Sequence, residues 1–263
     1  MDESGEEAES MLSSLSEPSD PTAPDLVYIL GRGSKWRNNE IRFSLRSVEK
    51  YLRHGRIFIV GECPKFLRNV IHVPATDSYE NKLANAVFKI RAACREIDLS
   101  EKFILMNDDF FILWPMHSVS AMHLGTLGQG ILNHSTKTGY YYMAMRKTRD
   151  LLISAGHANP LNYEVHAPMI IEKQKFLDIS DAIEWEDGFL FRSIYGNTFN
   201  VGGKKRIDTK IHQIEQIELL TKGDIVSTAD RVVLRAEFQH FIYDTFPTPS
   251  RYEDPATDPG RLP

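Results

Sequence analysis

Asn107, Asp108 and Asp109 stand in a row between two strongly apolar runs, residues 103–106 and 110–113. Neighbouring carboxylates repel one another, and burial strips their hydration, a cost of several kcal/mol unless positive charge lies near. Two readings account for the triplet. Asn-Asp is good turn chemistry between strands. Alternatively, a hard divalent ion at a strand end would take the acids as oxygen ligands and share them with substrate phosphates. His166, in "EVHAPMI", sits just before an apolar run. It reads as a satisfied structural group or as a proton acceptor that titrates near neutrality. Arg192 and Asn197, in "FRSIYGN", add a cation and an amide beside a glycine. Arg42 and Arg46 lie one helical turn apart with Lys50 and Arg53 near, either as a solvated basic face or as phosphate anchors. Gly31, Gly33 and Ser34, in "GRGSKW", loosely resemble a phosphate cradle and fit neither the P-loop nor the dinucleotide fingerprint. The sequence has no His-x-x-x-His spacing and no Gly-x-Ser-x-Gly elbow.

These groups need elements to hold them. "DLVYIL" from Asp25 predicts a strand, and Asn39 a cap for a helix over 40–52 whose Ile41, Leu45, Val48 and Leu52 form one stripe. "RIFIV" (56–60) and "NVIHVPA" predict two more strands, and residues 79–97 a helix buried through Leu83, Val87, Ile90, Cys94 and Ile97. With the strand at 103–106, this alternation predicts an α/β fold: a mostly parallel sheet flanked by helices. Ligands in such sheets lie beyond the carboxyl ends of the strands. The 31–39 loop, the residues after Val60 and the Asn-Asp-Asp triplet all fall there. Beyond Pro115 the pattern loosens. "SVSAMHLGTL" predicts an amphipathic helix, "GYYYMAM" a strand and "TRDLLISAG" a short helix. "VHAPMIIEK" reads as extended, "KQKFLDISDAIEW" and "GFLFRSIYG" as helical, "NVGGKKRIDTK" as a mobile loop and "RVVLRAEFQHFIYDTF" as a last helix.

Composition sets the limits. The formal charge of −5 is uneven, because the first 24 residues hold seven of the 36 acids and none of the 31 bases. The remainder is close to neutral, which argues against a nucleic-acid partner. The four basic residues of "GGKKRIDTK" are the one feature in favour of a nucleic-acid-modifying enzyme. The head reads as a disordered acidic tail over 1–24, the body as one domain over 25–246, and residues 247–263 as a Pro-rich tail. No apolar run nears the ~20 residues that span a bilayer. The two cysteines, Cys63 and Cys94, form no disulfide framework and fit a cytoplasmic location.

The stretch "DLVYILGRGSKWRNNEIRFSLRSVEKYL" resembles the opening of the Stealth family of capsular polysaccharide phosphotransferases, most closely over residues 40–51. "LSEKFILMNDDFFI" resembles the family's strand ending in Asn-Asp-Asp, and "HAPMIIEKQKF" with "FRSIYGN" its third block. The resemblance spans about residues 25–200. It implies a glycosyltransferase-A-like fold that takes a nucleotide-diphospho-sugar donor with Mn2+ or Mg2+. Asp108 and Asp109 would hold the metal, with Asn107 beside them, and His166, Arg192 and Asp109 would serve catalysis. Gly31, Gly33 and Ser34 would line the nucleotide, with Arg42, Arg46 and Asn197 binding substrate. One position departs from the family. Lys35 stands where members carry an acid in the first loop. That departure favours transfer of the sugar itself to a saccharide or other hydroxyl over transfer of sugar 1-phosphate. A module that binds the nucleotide sugar without turning it over is the reading from another class.

Overall fold

The computed structural model describes residue 20, residues 22–32 and residues 34–260. The acidic head over 1–19 and Gly33 lie outside the described residues. The chain begins with β1 (Asp25–Leu30), α1 (Asn39–Tyr51), β2 (Ile57–Gly61), β3 (Ile71–Val73), α2 (Lys82–Arg95) and β4 (Lys102–Met106). These are the predicted elements with ends moved by a few residues. At α1 the cap position belongs to Asn38, left-handed at φ 62°, while Asn39 is the first helical residue and its side chain accepts from Arg42 Nε. α2 is capped by Asn81, whose Oδ1 accepts from Leu83 N at 2.8 Å and Ala84 N at 3.3 Å. That early stop leaves Ile97 beyond the helix and exposed, off the buried face predicted for it.

β1 lies between β2 and β4, all parallel, with β3 beyond β2. Alternation along β1 feeds two cores. Leu26, Tyr28 and Leu30 pack with α1 on one face, and Val27 packs with α2 on the other. Burial on both faces explains why these strands read as unbroken apolar runs. The predicted α/β class with a mostly parallel, helix-flanked sheet is therefore the observed one.

The next elements are β5 (Phe110–Ile112), β6 (Met122–His123), α3 (Leu127–Asn133) and α4 (Tyr140–Ser154). "SVSAMHLGTL" is thus a two-residue strand and a turn leading into α3, not a helix. "GYYYMAM" opens α4, not a strand, and "TRDLLISAG" continues the same helix. Then come β7 (Met169–Glu172), α5 (Lys173–Asp181), α6 (Phe191–Thr198), β8 (Lys204–Lys205), β9 (Lys210–Ile211), α7 (Ile217–Leu220), β10 (Ile225–Thr228), α8 (Asp230–Val233) and α9 (Ala236–Thr245). The predicted mobile loop holds β8 and one end of β9, and the predicted last helix divides at Leu234 and Arg235 into α8 and α9.

β7 joins the sheet antiparallel to β4, with Leu105 opposite Met169. The residues before Met169, His166 among them, therefore come level with those after Met106. β10 pairs with β5 and β9 to make a smaller, three-stranded sheet.

The C-terminal segment is irregular, as predicted, but residues 247–260 do not form a detached tail. Glu253 is 3 % exposed and ion-pairs both Arg42 and Arg46, and Tyr252 bonds His54 Nε2 at 2.8 Å. The start of the body also moves. Asp20 N donates to His54 O, Gly55 N to Pro24 O, and the Asp20 carboxylate pairs with Arg53. Among the described residues no helix is long and apolar enough to cross a membrane.

Candidate active-site cleft

The carboxyl ends of β1 and β4 open into a cleft of about 400 Å³. Its floor is the Asn107–Asp109 turn, closed by Phe110 N donating to Asn107 O at 3.3 Å. The triplet is thus a turn between strands that also carries its acids into a cavity. Buried serines of α1 hold it in place. Ser44 Oγ donates to Phe110 O at 2.6 Å, and Ser47 Oγ accepts from Ile112 N at 3.0 Å.

Five carboxylates line the cleft (Glu40, Asp77, Asp108, Asp109 and Asp230) against three cations, Arg32, Lys82 and Lys89. The excess is felt locally. Burial, then repulsion by Asp109 and Glu40, pushes the Asp108 carboxyl up to about 7. Burial also raises Glu40, with Asp109 and Asp230 adding to it, while Ser34 Oγ donates to its Oε2 at 2.7 Å and pulls the other way. Asp109 is better compensated, accepting from Ser227 Oγ at 2.9 Å and Lys210 Nζ at 3.1 Å. Gly31 lines the cleft against Asp77 and Lys89, and Lys89 is itself buried and paired with Asp77.

The raised Asp108 has a consequence for stability. Between the ordinary aspartate range near ~3.9 and about 7 the fold keeps a proton that the unfolded chain has released. Stability is therefore full below that window and falls as pH rises through it. Asp108→Asn is expected to remove part of the fall in melting temperature between pH 5 and pH 8. Equal falls in variant and wild type would show that Asp108 does not titrate there.

Next to Phe110, the segment leading into the antiparallel β7 places His166. Its Nδ1 lies 2.9 and 3.0 Å from the two oxygens of Asp208, and its main-chain N donates to the same carboxylate. Thr209 Oγ1 donates to His166 O at 2.6 Å, and the ring meets Phe110 edge-on at 6.2 Å. Donating Nδ1–H to Asp208 leaves Nε2 as the acceptor. Burial alone would raise Asp208, but hydrogen bonds from the His166 ring and from the main chain of His166 and Thr209 hold it below its usual value.

Gly31, Ser34, Asn107, Asp108 and Asp109 thus meet in one cleft, which His166 does not line. Four other expected residues do not reach it. Arg42 and Arg46 are neither solvated nor phosphate anchors, since both are buried and taken up by Glu253. Asn197 staples the main chain, with Nδ2 to Leu161 O and Ser193 O and Oδ1 from Leu161 N. Arg192 is buried beneath Phe110, its guanidinium 5.6 Å from that ring and Nη1 donating to Ala167 O at 2.8 Å. Lys35, the departure in the first loop, is exposed and 3.8 Å from Asp230. Asp208, Lys210 and Ser227 were not foreseen, because the first two belong to strand-poor "GGKKRIDTK" and the third to a short strand without alternation.

Among the described residues no group of three or more His, Cys, Asp or Glu is arranged as a ready metal cage. The donor set suits the other mode of binding, in which Mg2+ or Mn2+ takes one or two carboxylates and completes its shell with water and phosphate. Burial and the repulsion of Asp109 and Glu40 at Asp108, only partly offset by Lys210, are the local sign that a cation fits there. Compared with known proteins, the chain matches no family model and no curated protein.

Proposed function

We propose that the protein is a metal-dependent transferase that moves a sugar from a nucleotide-diphospho-sugar to an acceptor hydroxyl. The charge of the cleft carries this reading. With five carboxylates against three cations, it repels a bare diphosphate and accepts one that arrives with a divalent ion. Asp108 and Asp109 would hold that ion, which when bound cancels charge developing on the diphosphate. Lys82 takes the remaining phosphate charge, joined by Arg32 and Lys89 as they leave Glu62 and Asp77, with Gly31, Ser34 and Asn107 lining the same cleft. His166 accepts the proton of the acceptor hydroxyl at Nε2, with Asp208 fixing the ring and stabilising the imidazolium that forms. The acceptor oxygen bonds to the anomeric carbon as the bond from that carbon to the diphosphate oxygen breaks. A glycosyltransferase-A-like fold and the resemblance of 25–60 and 99–113 to the Stealth family belong to the same reading.

One observation favours a second reading, transfer of sugar 1-phosphate. Lys35, whose place in the first loop favours sugar transfer, is exposed and has Asp230 3.8 Å away, which leaves its cation partly spent. The released nucleotide separates the two. Incubated with nucleotide sugars, Mn2+ and candidate acceptors, the protein is expected to release nucleoside diphosphate. Acceptor-dependent nucleoside monophosphate would establish attack at phosphorus, and binding without any release would leave a binding module.

A further inference from the structure

Lys210 carries a charge to which the transfer chemistry assigns no part. Strand register brings it to the acidic turn. In the three-stranded sheet, Ser227 of β10 stands opposite Phe110 of β5 on one side and Lys210 of β9 on the other. Asp109 immediately precedes Phe110, so the second acid of the turn lies within reach of both. Ser227 is fully buried, and its Oγ donates to Asp109 Oδ2 at 2.9 Å. Lys210 Nζ donates to the same oxygen at 3.1 Å. Among the described residues this is the one ion pair made by either acid of the turn, since the cleft cations Arg32 and Lys89 pair with Glu62 and Asp77.

The two donors act differently on a cation that Asp109 would hold. Ser227 is neutral. It fixes the carboxylate and takes nothing from its charge, as hydrogen-bond partners of ligating carboxylates do. Lys210 brings a full positive charge. It does not line the cleft and reaches Asp109 from β9, so an ion entering by the cleft would share the carboxylate with it. A unit charge and a divalent ion on one carboxylate repel each other, and more so the less water lies between them. The Lys210 and Asp109 side chains are only 21 % and 18 % exposed, which limits that screening.

We propose that Lys210 is a built-in counter-cation that holds down the affinity of the empty cleft for a divalent ion, in opposition to Ser227, which supports that affinity. The inference rests on the reading of Asp108 and Asp109 as the metal ligands. The test titrates Mn2+ alone into the full chain and follows free Mn2+ by electron paramagnetic resonance, with no donor and no turnover. Lys210→Met is expected to bind Mn2+ roughly tenfold more tightly than wild type. Ser227→Ala is expected to bind it roughly tenfold more weakly. A merely structural loss of contact between β9, β10 and the turn would weaken both. Lys210→Arg, which keeps the charge, should bind as wild type does. If Lys210→Met does not fold, Lys210→Gln, which keeps a donor without the charge, decides. Unchanged or weaker Mn2+ binding in the neutral Lys210 variant would overturn the proposal, and loss of binding in Asp109→Ala would still uphold the metal site. Binding that Asp109→Ala leaves intact, or no binding by any of these proteins, would overturn both.

Discussion

Asp108→Ala and Asp109→Ala are each expected to cut turnover at least ~100-fold, the scale seen when charge stabilisation of a transition state is lost. Their effects on the fold should differ. Asp108 sits in repulsion with Asp109 and Glu40, so its removal is expected to leave the melting temperature unchanged or raise it at pH 8. Asp109 anchors Lys210 and Ser227, which tie β9 and β10 to the turn, so its removal is expected to lower it. Donor turnover with Mn2+ and thermal melts of both variants check this pair of outcomes. Near-normal, metal-dependent activity in both would remove the acids from the chemistry.

The largest stability effect is expected at Glu253. Its carboxylate is buried and accepts from Arg42 Nη1, from Arg46 Nε at 2.7 Å and Nη2 at 3.0 Å, and from Ser250 N at 2.8 Å. Removing one side of such a cluster leaves buried charge uncompensated, at a cost of ~3–5 kcal/mol. Glu253→Gln is therefore expected to lower the melting temperature by on the order of 10 °C, at roughly 2–4 °C per kcal/mol for a domain of this size. Replacing all three partners together, with Arg42→Met, Arg46→Met and Glu253→Leu, should cost less than Glu253→Gln alone, because the only charge left without its partner is that of Asp258, which is partly exposed. A triple variant less stable than the single one would show that the ion cluster is itself strongly stabilising.

The same residues show what local sequence can reveal. The strands and helices of 25–106 were legible because burial on two faces and one-sided helical stripes leave strong periodic patterns. The acidic turn was legible because charge between apolar runs is conspicuous. Arg42 and Arg46 misled because their partner lies more than 200 positions away, beyond any local pattern. "GYYYMAM" misled by composition. Aromatic residues favour strands, yet helical packing of Tyr142, Ala144 and Met145 won, with Tyr140, Tyr141 and Met143 left exposed. Asp208 and Lys210 were hidden because two-residue strands are too short to show alternation.

The clamp around Glu253 also sets a clock. A ribosome adding ~5–20 residues per second makes Arg42 and Arg46 roughly 10–40 s before the carboxylate 211 and 207 positions later. For that interval the growing chain can pair β1 with β2 and β4, but helix α1 presents two guanidinium groups with no Glu253 to receive them. The helix that carries Glu40 to the cleft is thus sealed late, by one of the longest-range contacts in the fold. Chains interrupted in that window would hold an assembled parallel sheet whose first helix is not yet locked.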